Sequence, residues 1–158
     1  MIRPQVKAKV ETDLVAVLER KMVKTQALHK KLNHILNTEY VAGMDYDSKS
    51  LKKLIIRKHN CVNRFKHLVR SMGEQINMMA GQETPSSISK NLVDRVKMIR
   101  GLAPKQEEAL FALANDLEQR HRGLMEAASR NGLLFKSVLN RLSATSKYVN
   151  HRDMGRTP

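Results

Sequence analysis

The chain contains no tryptophan, and three Phe and three Tyr bring the aromatic share to only 4% of 158 residues. A core without large rings must be assembled from Leu, Val, Ile, Met and Ala, which suit narrow helix–helix seams better than a thick globular centre. Cysteine is nearly absent as well. Cys61 stands alone, which excludes an internal disulfide and a cysteine-based zinc knuckle and fits a reducing compartment. Proline and glycine are sparse, four and seven residues, so long uninterrupted elements have room to form. Acid is scarce too: 15 Asp and Glu face 29 Lys and Arg, a formal net charge of +14. An excess of that size draws a protein toward nucleic acid, an anionic membrane or an acidic protein surface, without saying which. No run approaches the roughly 20 apolar residues that span a bilayer. The N-terminal MIRPQVKAKVETD lacks an apolar stretch of signal-peptide length. The expected location is therefore cytoplasmic, without membrane insertion.

Catalytic signatures are missing in the same way. Neither GxxxxGK(S/T) nor GxGxxG occurs, so no phosphate-cradling loop is announced. The six histidines, His29, His34, His59, His67, His121 and His151, form no HExxH and no His-x3-His pair. The carboxylates are scattered, with none in an apolar setting that would raise its pKa. The expectation is a protein that is not an enzyme, with no cofactor and no metal.

What the sequence does carry is helical periodicity. Over about 5–41, Val10, Leu14, Leu18, Met22, Thr25, Leu28, Leu32 and Ile35 recur at steps of three or four, one stripe of a helix. Gly43 is expected to end it in a left-handed conformation, with Asp45 and Asp47 in a turn. A second helix is expected over about 48–80, capped by Asp47 or Ser48. Its Leu51, Ile55, Lys58, Val62, Phe65, Val69, Met72, Ile76 and Met79 step by four and three in alternation, the 3.5-residue repeat of a left-handed supercoil. GQETPSS is a connector. A short helix is expected over about 89–100, stopped by Gly101. Pro104 then suits the first position of a long helix over about 104–149, with Gly123 and Gly132 as weak points and a disordered tail at about 150–158. These elements predict one all-α domain, a coiled-coil-like bundle of long antiparallel helices.

Two surfaces are candidates for function. Lys49, Lys52, Lys53, Arg57, Lys58, Arg64, Lys66 and Arg70 follow one another with no acidic residue between. Apart from Lys58 on the seam, they form a ridge that reads either as an anion-binding surface or as a solvated helical face. Without interleaved aromatics, stacking on bases is disfavoured. The second surface is the apolar stripe on the last helix, which includes Leu124, Ala128, Leu134, Phe135, Val138 and Leu142, interrupted by Asn131 and Gly132. Asn131 has two open readings: a buried polar residue that sets register, or a sign that this stretch faces a partner and packs only when one arrives. His121 on the same helix reads as a histidine at the edge of a packed interface, with a ligand or switch role as the alternative.

The stretch LNHILNTEYVAGMDYDSKSLKKLIIRKHNCVNRFKHLVRSMGEQ resembles the FlgN family of flagellar type III export chaperones, through Glu39, Asp47, Leu51, Leu54, Lys58 and Arg70. The ending LMEAASRNGLLFKSVLNRLSATSKYV is similar to that family's, through Asn131, Gly132, Leu133, Leu134, Val138, Leu142 and Tyr148. The resemblance implies a cytoplasmic chaperone without enzymatic activity. Such a protein binds the C-terminal helical region of hook-associated (hook–filament junction) proteins, prevents premature assembly and delivers its cargo to the export apparatus. It places partner binding at about Leu124 to Tyr148. Two further expectations stand beside it, a basic helical nucleic-acid-binding protein and a structural coiled coil that forms homo-oligomers.

Overall fold

The computed structural model describes the backbone of residues 4–81 and 91–154, and the side chains of 13–81 and 91–147. Among the described residues there are three long helices and one short one: α1 (Pro4–Met44), α2 (Ser48–Met79), α3 (Leu92–Val96) and α4 (Pro104–Met154). Consecutive long helices run antiparallel, giving the expected all-α bundle. One consequence is that α1 and α4 lie side by side and parallel. Contacts near the middle of α1, Gln26 with Asp116, and near its end, Glu39 with Asn131, keep almost the same offset in residue number.

Local chemistry explains most of the boundaries. Asp47 caps α2, its Oδ1 accepting from the Ser50 N–H at 3.0 Å. Asn91 caps α3, its Oδ1 accepting from the Asp94 N–H at 2.8 Å. That makes α3 shorter than the 89–100 expected; residues 82–90, including most of the GQETPSS connector, lie outside the described residues. Gly101, at φ 80°, turns the chain toward α4. The helix α4 runs on to Met154 rather than fraying from residue 150, since no Gly or Pro interrupts 133–154.

Gly43 serves a purpose other than the expected one. It is helical, and the left-handed residue of the α1–α2 turn is Tyr46, at φ 54°. A Cβ on Gly43 would stand 2.8 Å from Phe135 Cε1 and 3.1 Å from Leu134 Cδ2, so the absent side chain lets α4 approach.

Burial is organised around α1, which packs α2 on one flank and α4 on the other. The first core cluster joins Val15, Leu18 and Met22 to Met72 and Ile76 of α2, Val96 of α3, and Leu110 and Leu117 of α4. The second joins Leu32, Ile35 and Leu36 to Leu54 and Cys61 of α2 and Leu124 and Ala127 of α4. The expected seam of α2 is only half used. Met72 and Ile76 are buried, but Leu54 and Cys61 meet α1 while Ile55 is 53% exposed and Val69 36% exposed. The apolar face of α2 is wider than one seam, and α1 takes the edge next to the heptad line.

Gly43→Ala is expected to destabilise the fold by about 1–3 kcal/mol, because overpacking at Phe135 must be relieved by movement. Gly132→Ala is expected to stabilise it by up to about 1 kcal/mol, since a methyl there meets nothing within 4 Å. Urea denaturation of both variants checks the opposite signs.

Candidate functional site

Three polar side chains tie the long helices together. Glu39 of α1 is 1% exposed. Its Oε1 accepts from Lys58 Nζ of α2, and its Oε2 accepts from Asn131 Nδ2 of α4 at 2.9 Å. The same Asn131 amide also donates to the Leu36 carbonyl at 2.8 Å. A buried carboxylate is tolerable only when charge and hydrogen bonds answer it. Here the answer comes from both neighbouring helices at once, which fixes their register on α1. Asn131 therefore takes the register-setting reading, and the partner-facing one is overturned. Leu124, 8% exposed in the second core cluster, likewise lies inside the monomer rather than on a partner surface.

The other residues proposed for partner binding divide by position along α4. Leu134 and Phe135 are half-buried over Gly43, and Val138 is half-buried. Ala128 is exposed, and Leu142 is 55% exposed. The side chain of Tyr148 lies outside the described residues. Arg130 donates to Asn37 Oδ1 at 2.9 Å and stacks over the Tyr40 ring at 4.4 Å, so the offset between the helices places the end of α1 beside about residue 136 of α4. The final turns of α4, about 18 residues or roughly 27 Å, project past the α1–α2 turn. Leu139, 65% exposed, and Leu142 sit on this projection.

A groove separates α2 from α4. No Cα of one lies within 8 Å of a Cα of the other among the described residues, so α1 forms a floor between two walls. At one end α3 plugs the gap. Arg95 Nη2 donates to the Gly73 carbonyl and to Asn77 Oδ1, both at 3.1 Å, and the Val93 N–H donates to Glu118 Oε1 at 3.0 Å. Beyond the plug the groove widens into a cavity of about 530 Å³, lined by His29, Phe65, Val69, Leu92, Leu117 and His121 among others.

His29 on the cavity floor is 3% exposed, and neither ring nitrogen has a hydrogen-bond partner. Its ring meets Phe65 edge-on at 4.8 Å, and Phe65 lies parallel to His121 at 6.4 Å. Burial lowers the His29 pKa from 6.5 to about 4, helped by the charges of His121 and Arg120 and opposed by the nearby Thr25 backbone carbonyl, one turn back, and by Asp116. His121 is exposed at the groove, as expected for an interface-edge histidine. Sequence reasoning missed His29 and Glu39 as buried residues, although a signal existed. His29 falls between Thr25 and Leu32 at steps of four and three, and Glu39 follows Ile35 by four.

The basic residues Lys49, Lys52, Lys53, Arg57, Arg64, Lys66 and Arg70 are all exposed. Arg70 is engaged with Glu74 at 3.0 Å. Lys58, which the heptad pattern puts on the seam, ends in the Glu39 pair. Among the described residues no three His, Cys, Asp or Glu side chains cluster to hold a metal, and no helix is long and apolar enough to cross a membrane. No protein-family model, curated protein or solved structure matches the chain.

Glu39→Ala is expected to cost about 1–3 kcal/mol in denaturant unfolding, because it takes one of the two acceptors from the buried Asn131 amide and the counter-charge from the part-buried Lys58 ammonium. A pH dependence follows from His29. The folded chain keeps it neutral down to about pH 4, whereas an unfolded chain protonates it near 6.5. The unfolded state thus binds more protons in that window. The stability contribution is complete above pH 6.5 and is lost as the pH falls toward 4, on the order of 2–3 kcal/mol. In His29→Leu that component of acid destabilisation should vanish, as measured by unfolding midpoints between pH 4 and 7.

Proposed function

We propose that this chain is a binding protein, not an enzyme, and that its cargo is a helical segment of another protein. More particularly, we propose a cytoplasmic flagellar export chaperone of the FlgN kind. It would bind the helical termini of hook-associated proteins, hold them from premature assembly and hand them to the type III export apparatus. The observation that carries this reading is the projection of α4, which leaves Leu139 and Leu142 exposed with no helix beside them among the described residues. A partner that forms coiled coils needs an apolar helical surface to lie against before it reaches its own assembly. A second observation supports the family resemblance. Glu39, Lys58 and Asn131, three of the residues on which it rests, meet as one clamp although they lie far apart in sequence.

Mixed with a purified hook-associated protein at moderate salt, the chain is expected to elute as a stable one-to-one complex in size exclusion. The double variant Leu139→Asp, Leu142→Asp should weaken that complex by more than about tenfold. Helicity by circular dichroism should stay unchanged, because neither side chain is packed in the monomer. Absence of a complex with the unmodified chain counts against the reading. The fully exposed basic residues of α2 favour nucleic acid as the second reading, and a gel shift titrated with salt decides it. Binding through Z phosphates would show a log–log salt slope of about −0.9Z on duplex DNA.

A further inference from the structure

The heptad line of α2 offers more apolar surface than the chain itself covers. Met72 and Ile76 are buried, but toward the α1–α2 turn the line passes through Leu51, Ile55, Val62 and Val69, which are half-buried or exposed. Across the groove, His121, Met125, Ala128 and Gly132 share one flank of α4 by helical spacing, and all four are exposed. With α1 as floor, three sides of a four-helix arrangement are present, and α3 fills the fourth only at the far end.

The charge of the rims says what belongs in the open part. The rims are basic at heptad intervals. Lys52 and Lys66 stand fourteen residues apart on α2, one position beyond Leu51 and Phe65 of the seam, and Arg122 and Lys136 stand fourteen apart on α4. All four are exposed, and none is ion-paired among the described residues. A second copy of this chain would bring like charge to them. Its α2 holds no acidic residue from Lys49 to Arg70, and its α4 has six basic residues against one acidic from Arg120 to Lys147.

We propose that the α2–α4 groove is the seat of an acidic-flanked amphipathic helix from a partner protein, which completes a four-helix bundle. Its apolar a and d residues lie on Ile55, Val62 and Met125, and its flanking Asp or Glu residues face Lys52, Lys66, Arg122 and Lys136. The proposal deepens the carrier reading by naming the site and the chemistry of the cargo, and it assigns the groove a role separate from the α4 projection.

The test uses the full chain and designed peptides of about 21 residues, three heptads. Each carries Leu and Ile at a and d; one has Glu at every e and g position, the other Lys. Labelled and titrated in fluorescence anisotropy at about 0.1 M salt, the Glu peptide is expected to bind at least about tenfold more tightly than the Lys peptide. The chain carrying Lys52→Glu and Lys66→Glu, both on exposed side chains, should reverse or erase that preference. Ile55→Ser with Met125→Ser should weaken the Glu peptide about tenfold. Equal binding of Glu and Lys peptides, or indifference to the Ile55 and Met125 changes, overturns the proposal, as does a chain that dimerises through this groove in sedimentation. Because the peptides are designed, the two readings fail separately. A hook-associated protein that binds without sensitivity to the groove variants removes the groove and keeps the carrier. A peptide that seats in the groove while no hook-associated protein binds does the reverse.

Discussion

The structure hinges on a carboxylate where a carboxylate is expensive. Glu39 lies 1% exposed among apolar neighbours near the end of α1, and desolvating it without compensation would unfold that end of the bundle. The compensation comes from Lys58 on one side and Asn131 on the other. No other residue makes polar side-chain contacts to both α2 and α4 among the described hydrogen bonds. Leucines can slide against leucines at small penalty, but an ammonium and an amide meet a given carboxylate in only one register. Everything beyond the clamp follows from that alignment, including the close pass of Phe135 over Gly43 and the length of α4 left without a neighbour.

The same arrangement leaves the bundle open. With α1 in the middle, α2 and α4 each satisfy one flank against it and keep another flank apolar. Among the described residues the gap between them is closed at one end, with a five-residue helix held by Arg95 and by the Glu118 carboxylate. Toward the α1–α2 turn the walls are apolar, the rims basic, and the floor holds a histidine without hydrogen bonds.

Much of this was legible from spacing alone. The long helices, the Asp47 cap, the start of α4 at Pro104 and the breaks near Gly81 and Gly101 depend on backbone preferences that act within a few residues. The stripe of α1 was readable for the same reason, down to Thr25 in line with its leucines. The heptad line of α2 was visible as well, but not its use, since periodicity names a face without naming what lies against it. Leu54 and Cys61, next to that line, became core because α1 approached from their side.

What the residue order determined by itself is the set of helices, their apolar faces and the surplus of positive charge, because those properties are local or additive along the chain. Only the tertiary arrangement decided that Asn131 is a clamp rather than a contact surface, that Gly43 makes room rather than a turn, and that His29 is buried at a cavity floor. Each of these depends on a residue some thirty to ninety positions away coming within a few ångströms. Such proximity is set by packing over the whole bundle, to which periodicity in any one helix is blind.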